Sequence, residues 1–174
     1  LIHELIEFRR IETGNREVRI ESLNVSSIVK GIAKTFVEMA KSRNITFLSK
    51  IPEQVMWNSD KGFLNTIIIN LISNAFKYTP DGQSIKIEVD TSGENMLTLR
   101  VANEGSTIKE KDFQYIFNRY AILDNFENQD EKNFSRNGLG LAISYNMAKL
   151  LNGTLKVENT SDGWVMFTLT LPVM

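Results

Sequence analysis

Asn70-Leu71-Ile72-Ser73-Asn74-Ala75-Phe76-Lys77-Tyr78-Thr79-Pro80 closes a periodic apolar segment that begins just after Asp60. Leu64, Ile67, Ile68 and Leu71 recur at three- and four-residue intervals, the spacing of one helix face. Asp60 is a suitable N-cap, because a short carboxylate can accept from the free N–H groups of the first turn. Thr79-Pro80-Asp81-Gly82 breaks the pattern, so the expected helix runs from Asp60 to about Tyr78. Asn70, Asn74, Lys77 and Tyr78 stand at i, i+4, i+7 and i+8 and share a face, which sets a polar stripe into an apolar helix.

Working outward, Ile85 to Val89 and Met96 to Val101 alternate in hydrophobicity and flank Ser92-Gly93-Glu94-Asn95, a hairpin signature. Thr154 to Asn159 and Trp164 to Leu171 form a second hairpin around Ser161-Asp162-Gly163. Leu139 to Leu151 reads as an amphipathic helix stopped at Asn152-Gly153. Val25 to Met39 reads as another helix, Ile45 to Leu48 as a short strand and Lys109 to Phe117 as a short helix. Toward the N-terminus, Leu1, Leu5 and Phe8 keep helical spacing until Thr13-Gly14-Asn15. Asp124 to Asn137 is long, polar and aperiodic, and a loop of that length usually serves a function. The expected architecture is an α/β sandwich, a mixed and mainly antiparallel sheet covered on one face by helices.

Composition narrows the chemistry. The 174 residues are 42% hydrophobic and 24% charged, the balance of a globular domain with one packed core. A net charge of -1 provides no broad attraction to nucleic acid or to an anionic membrane, so phosphate would have to be bound locally. Zero cysteines and one histidine exclude disulfides, thiol nucleophiles and ordinary zinc sites, leaving hard-cation or metal-free chemistry. No apolar run is long enough to span a bilayer.

Taken alone, the stripe on the long helix reads equally as a solvated face or as part of a nucleotide site. In the second reading an amide oxygen ligates Mg²⁺, a lysine one turn on meets phosphate and an aromatic ring lies against a base. Val101-Ala102-Asn103-Glu104-Gly105-Ser106-Thr107-Ile108 is either a simple strand exit or a polar turn that presents Asn103. Gly138-Leu139-Gly140-Leu141 opens a helix directly after the polar loop, where backbone N–H groups can approach an anion. Each piece is weak alone, and it is their order along the chain that carries information.

In that order, and nearly letter for letter in Asn70 to Pro80, the chain resembles the sensor histidine kinases of the GHKL ATPase superfamily. The resemblance covers almost the whole chain and implies a Bergerat-type fold. It makes Asn70 to Pro80 the N box, Asn103 to Ile108 the G1 box, Ile116-Phe117-Asn118-Arg119-Tyr120 the F box and Gly138 to Ile143 the G2 box. Residues 118–137 become an ATP lid, 1–15 the end of the second helix of a dimerisation hairpin, and 16–174 the catalytic domain. By the same resemblance Asn74 ligates Mg²⁺, Asn70 assists the metal and its water, Lys77 meets phosphate and Tyr78 packs on adenine. Gly105, Thr107, Ile108, Phe117, Arg119, Tyr120, Arg136, Gly138, Leu139, Gly140 and Leu141 complete the implied ATP site with Asn103. Catalysis would rest on Asn70, Asn74 and Lys77, with ATP and Mg²⁺ as cofactors.

Departures from the family pattern bear on that site. Asn103 stands where an aspartate usually accepts the adenine amino proton, and a neutral acceptor is weaker by roughly 1 kcal/mol. Thr107 replaces a glycine, and Arg136 replaces the first glycine of the G2 pattern, where it either reaches a phosphate or leaves the loop unaffected. Val165 and Met166 stand where relatives place a small hydroxyl residue beside adenine. His3-Glu4-Leu5 resembles a fragment of an H box but continues as Ile6, Glu7 and Phe8, so His3 is expected at a surface or interface and the acceptor histidine upstream of Leu1.

The resemblance thus implies an ATP:protein-histidine phosphotransferase domain in a two-component phosphorelay. Its implied partners are the upstream hairpin, a response regulator receiver domain and a second copy of the full-length protein, without nucleic acid or direct membrane contact. It implies the cytoplasmic part of a bacterial membrane-anchored sensor. The alternative is a non-catalytic nucleotide-binding or docking module that regulates a partner. A chaperone- or topoisomerase-type ATPase is disfavoured, since Asn70 stands where those relatives place a glutamate base.

Overall fold

The computed structural model describes residues 17–93, 95–105, 107–113, 115–117 and 140–174. The expected N-terminal helix with His3, the lid over 118–137, and Arg119, Tyr120, Arg136, Gly138 and Leu139 lie outside the described residues.

The elements run β1 (Ile20–Asn24), α1 (Val25–Lys34), α2 (Val37–Ser42), β2 (Thr46–Lys50), β3 (Met56–Asp60), α3 (Lys61–Tyr78), β4 (Ser84–Ser92) and β5 (Met96–Glu104). A short 3-10 turn (Glu110–Asp112), α4 (Gly140–Leu150), β6 (Thr154–Asn159) and β7 (Trp164–Pro172) follow. The main sheet has the order β2-β4-β5-β7-β6. Only β2 and β4 pair in parallel; the other three ladders are antiparallel. This is the mixed, mainly antiparallel sheet that the two hairpin signatures imply.

Alternation decides which sheet face is covered, because successive strand side chains point to opposite sides. Ile85, Ile87 and Val89 of β4, Leu97, Leu99 and Val101 of β5, and Val165, Phe167, Leu169 and Leu171 of β7 are all buried. They form one core with Phe63, Leu64, Ile67, Ile68, Leu71 and Ile72 of α3 and with Ala142, Ile143 and Met147 of α4. Helices therefore cover a single face, and α3 lies at the centre of the layer.

Asp60 starts α3 as expected. Its Oδ1 accepts from Phe63 N at 3.0 Å, while its Oδ2 accepts from Arg19 N at 2.8 Å. One buried carboxylate thus caps the central helix and ties down the segment entering β1.

Three features depart from the expected elements. The helix expected over Val25 to Met39 is two helices: Thr35 N and Phe36 N donate to the carbonyls three residues back, and the Thr35 hydroxyl donates to Ile32 O at 2.6 Å. The break delivers Phe36 to the core, where its ring stacks on Phe76 at 5.2 Å, and Phe47 meets Phe76 edge-on at 5.2 Å. The helix expected over Lys109 to Phe117 is only a 3-10 turn of 3 residues, with backbone N–H groups donating to carbonyls three and four residues back. The third feature is a separate two-stranded sheet, β1 with β3, which the sequence did not signal. It is fastened to the main sheet where Trp57 Nε1 donates to Pro172 O at 3.2 Å.

Asp60→Ala should lose about 2 kcal/mol of stability, since the substitution removes a helix cap and leaves Phe63 N and Arg19 N without that acceptor. Chemical denaturation of the variant beside the parent measures this, with an unchanged denaturant dependence as the sign that the fold is retained.

Candidate functional site

The polar stripe of α3 survives in three dimensions as a graded series. Asn70 is half-buried, Asn74 is only 6% exposed, and Lys77 and Tyr78 are half-buried at the helix end. A simple solvated face would leave these side chains exposed, so burial of the stripe argues against that reading. Burial lowers the Lys77 ammonium from its ordinary value and pushes the Tyr78 phenol up to about 12. The Lys77 ammonium lies 5.4 Å from the centre of the Tyr78 ring. A half-buried ammonium regains stabilisation when an anion settles beside it, which suits a phosphate contact.

Two direct contacts bring the separate sequence segments together on α3. At its middle, Asn70 Nδ2 donates to Gly140 O at 3.0 Å and to Ser144 Oγ at 3.1 Å, which joins the N-box stripe to the first turn of α4. Beyond its end, Gly105 takes φ +90° and packs so closely that a Cβ there would lie 2.9 Å from Pro80 Cδ. Glycine is required at 105 on both counts, the left-handed backbone and the close approach. The segments around Gly105 and Gly140 thus meet the N-box run at positions ten residues apart, Pro80 and Asn70.

Asn103 is buried on the helix-facing side of β5, paired in register with Ile85 on β4 and Val165 on β7. Its neighbour Val165 is buried there too, an apolar side chain on the same sheet face. Met166 does not belong beside it. Strand alternation turns Met166 to the opposite sheet face, opposite Ala102, where both line a groove with Lys86, Arg100 and Trp164. Ile108 is buried and Thr107 exposed, and Leu141 is half-buried at the start of α4. Phe117 stacks on Tyr145 at 5.1 Å and meets Phe167 edge-on at 6.2 Å, so the F-box phenylalanine is seated against α4 and β7.

Three supporting side chains escaped the sequence reading. Arg43, just after α2, donates through Nε to Asp81 at 2.7 Å, through one terminal nitrogen to Phe76 O and through the other to Thr79 O at 2.5 Å. It thereby holds carbonyls at the C-terminal end of α3, the negative pole of that helix. Asn159 accepts from Ile108 N at 3.1 Å and donates to Ile108 O at 2.6 Å, fixing the end of the G1 segment. Ser144, fully buried, accepts from Asn70. Their partners lie 33 to 74 residues away in sequence, and no local pattern announces them.

Among the described residues no three His, Cys, Asp or Glu side chains gather as a metal site. The donors at hand are the amides of Asn70 and Asn74, which suit Mg²⁺ held mainly by waters and substrate phosphates rather than by a carboxylate cage.

The family of histidine kinase-, DNA gyrase B- and HSP90-like ATPases matches residues 59–174. The chain belongs to that family. Histidine kinase P4 of Formosa agariphila is 30% identical over 175 residues, covering 99% of this chain and 13% of its own length. Sensor histidine kinase WalK of Bacillus subtilis is 25% identical over 174 residues, covering 99% of this chain and 28% of its own. The chain therefore spans a minor part of the curated relatives it matches. The catalytic domain of histidine kinase ThkA, in a nucleotide-free form, superposes with a TM-score of 0.75 at 22% identity, covering 88% of this chain and 97% of that one. Full-length ShkA in complex with AMPPNP gives a TM-score of 0.82 at 18% identity, covering 98% of this chain and 35% of that one. The fold is that of a histidine kinase catalytic domain, and the role is that of its ATP-binding catalytic unit.

Two predictions follow from this geometry. Arg43→Met should destabilise the histidine kinase domain by about 2 kcal/mol, and Arg43→Lys should not restore it, because a single ammonium cannot serve three acceptors spread around a planar fork. Thermal unfolding of the three proteins tests this. The second concerns alkaline stability. With its phenol at about 12, folded Tyr78 keeps a proton that the unfolded chain gives up near its ordinary value of 10.0. Stability therefore falls as pH rises between those two values and levels off above them. Lys77 acts in the opposite sense but is common to parent and variant. Unfolding of Tyr78→Phe should lack the parent's extra loss of stability across that window.

Proposed function

We propose that this domain transfers the γ-phosphoryl group of Mg·ATP to a histidine on a dimeric helical hairpin of the longer protein, from which a response regulator receiver domain takes it. The observation that carries the proposal is the meeting of three segments on α3: Asn70 with Gly140 and Ser144 at its middle, and Pro80 with Gly105 beyond its end. The curated relatives named above are histidine kinases, and histidine kinase ThkA has been solved in complex with response regulator protein TrrA. No described helix is long and apolar enough to cross a membrane. A place as the cytoplasmic part of a membrane-anchored bacterial sensor belongs to the proposal.

In this reading adenine lies against Tyr78, with Asn103, Gly105, Thr107 and Ile108 along one side and Phe117 of the F box along another; Arg119 and Tyr120 are assigned to the site by the family resemblance alone. Lys77 and the backbone of Gly140 and Leu141 are assigned to the phosphates, and the family resemblance alone extends that assignment to Gly138, Leu139 and, as one of two readings, Arg136. Asn74, assisted by Asn70, holds the metal, and Mg²⁺ when bound supplies charge neutralisation on the phosphate oxygens. In the transfer the bond from Pγ to the β-γ bridging oxygen breaks, a P–N bond to the acceptor imidazole forms, and ADP leaves. The domain contributes position and electrostatic stabilisation rather than a covalent intermediate of its own.

Labelled ATP supplied to the chain should leave His3 unlabelled but should label an added hairpin that carries an acceptor histidine. Asn74→Ala should abolish that transfer and remove the Mg²⁺ dependence of ATP binding in calorimetry. Label retained on the isolated chain and lost in His3→Gln would overturn the placement of the acceptor. ATP binding without transfer to any hairpin would favour a non-catalytic module.

A further inference from the structure

Asn70 raises a question that its motif does not answer: what fixes the orientation of its amide. An asparagine amide carries two N–H donors at one end and a carbonyl acceptor at the other. The terminal torsion of such a side chain is broad and roughly two-fold, so the ends interchange easily unless neighbours choose between them. Here the neighbours choose. Gly140 O can only accept, so the nitrogen must face it, at 3.0 Å. Ser144 Oγ lies 3.1 Å from the same nitrogen, one helical turn further along α4, and accepts from it as well, which a nitrogen with two N–H groups can satisfy with one proton to each acceptor. Both donors are thus engaged by α4, and Oδ1 is left at the opposite end of the planar group. Against Gly140 the amide lies flat: an added Cβ there would stand 3.5 to 3.8 Å from its carbon, oxygen and nitrogen, in ordinary contact.

We infer that Ser144 is a positioning residue, which by accepting from Asn70 Nδ2 holds the Asn70 amide oxygen in the orientation that serves a nucleotide-bound Mg²⁺. This rests on the proposed ATP site and adds to it a residue outside the nucleotide-binding motifs. Ser144 is fully buried, so its hydroxyl is a scarce polar group within the helix layer and not an accident of surface composition. If the hydroxyl is removed, the bond to Gly140 O fixes only one N–H, and the amide plane can turn about it. Ser144 never touches the metal; it acts through Asn70. The same pair of bonds joins the metal-assisting amide to the opening of α4, so the first turn of that helix and the metal site are set together.

The test is ATP affinity by calorimetry for the parent chain, Ser144→Ala, Asn70→Ala and the double variant, each measured with excess Mg²⁺ and with a chelator. Ser144→Ala should fold, since alanine favours helix and the lost group is small. The gain in ATP affinity that Mg²⁺ brings should shrink by about three- to tenfold, the effect of one hydrogen bond, while affinity in chelator stays within a factor of two. In the Asn70→Ala background the second substitution should have no further effect on that gain, because its route has been removed. A purely structural serine would lower both affinities together or leave both unchanged. An undiminished Mg²⁺-dependent gain in Ser144→Ala, or an equal additional loss on the Asn70→Ala background, overturns the role of Ser144 and leaves the ATP site standing. A parent chain that binds ATP with no gain from Mg²⁺ overturns both.

Discussion

The central helix is held at both ends by side-chain hydrogen bonds that also tie it to distant parts of the chain, and the rest of the molecule is arranged around that constraint. At the start, Asp60 spends one oxygen on Phe63 N and the other on Arg19 N. At the finish, Arg43 occupies the carbonyls of Phe76 and Thr79, and the Thr79 hydroxyl donates to Ala75 O at 2.6 Å before Pro80 prevents another turn. Both helix poles carry the side-chain charge that favours them. A helix so fixed cannot rotate or slide, and this lets it present a polar stripe of defined orientation above an apolar sheet.

Burying such a stripe is costly, because each amide or ammonium leaves water. Asn70 offsets part of that cost by engaging α4. Burial lowers the Lys77 ammonium and raises the Tyr78 phenol, each in the direction that favours the neutral form. The G1 segment is treated in the same manner: Asn159 holds Ile108 by both backbone groups, while Gly105 makes the approach to Pro80 that no side chain would permit.

Long, strongly periodic elements were legible in advance. The helix from Asp60 to Tyr78, both hairpins and the helix ending at Asn152-Gly153 all emerge from local spacing and turn chemistry. The elements that were not legible are short and one-sided. β1 exposes most of its residues, and β3 reads Met-Trp-Asn-Ser-Asp, too polar and too brief to announce a strand. The break at Thr35 was hidden because its cause is remote: Phe36 turns inward to meet Phe76, 40 residues away in sequence, and the local string alone favours continuing the helix.

By itself the sequence determined the family, the order of the segments that form the ATP-binding unit and the faces of the major elements, because those depend on residue type at fixed spacing. Only the tertiary structure decided which of the two adjacent residues Val165 and Met166 faces the helices, since that depends on strand register. It alone brought forward Arg43, Asn159 and Ser144, whose partners are distant in sequence and adjacent only after folding. A motif records which groups touch a ligand. The side chains that hold those groups in place are dictated by packing, and packing is a property of the folded chain.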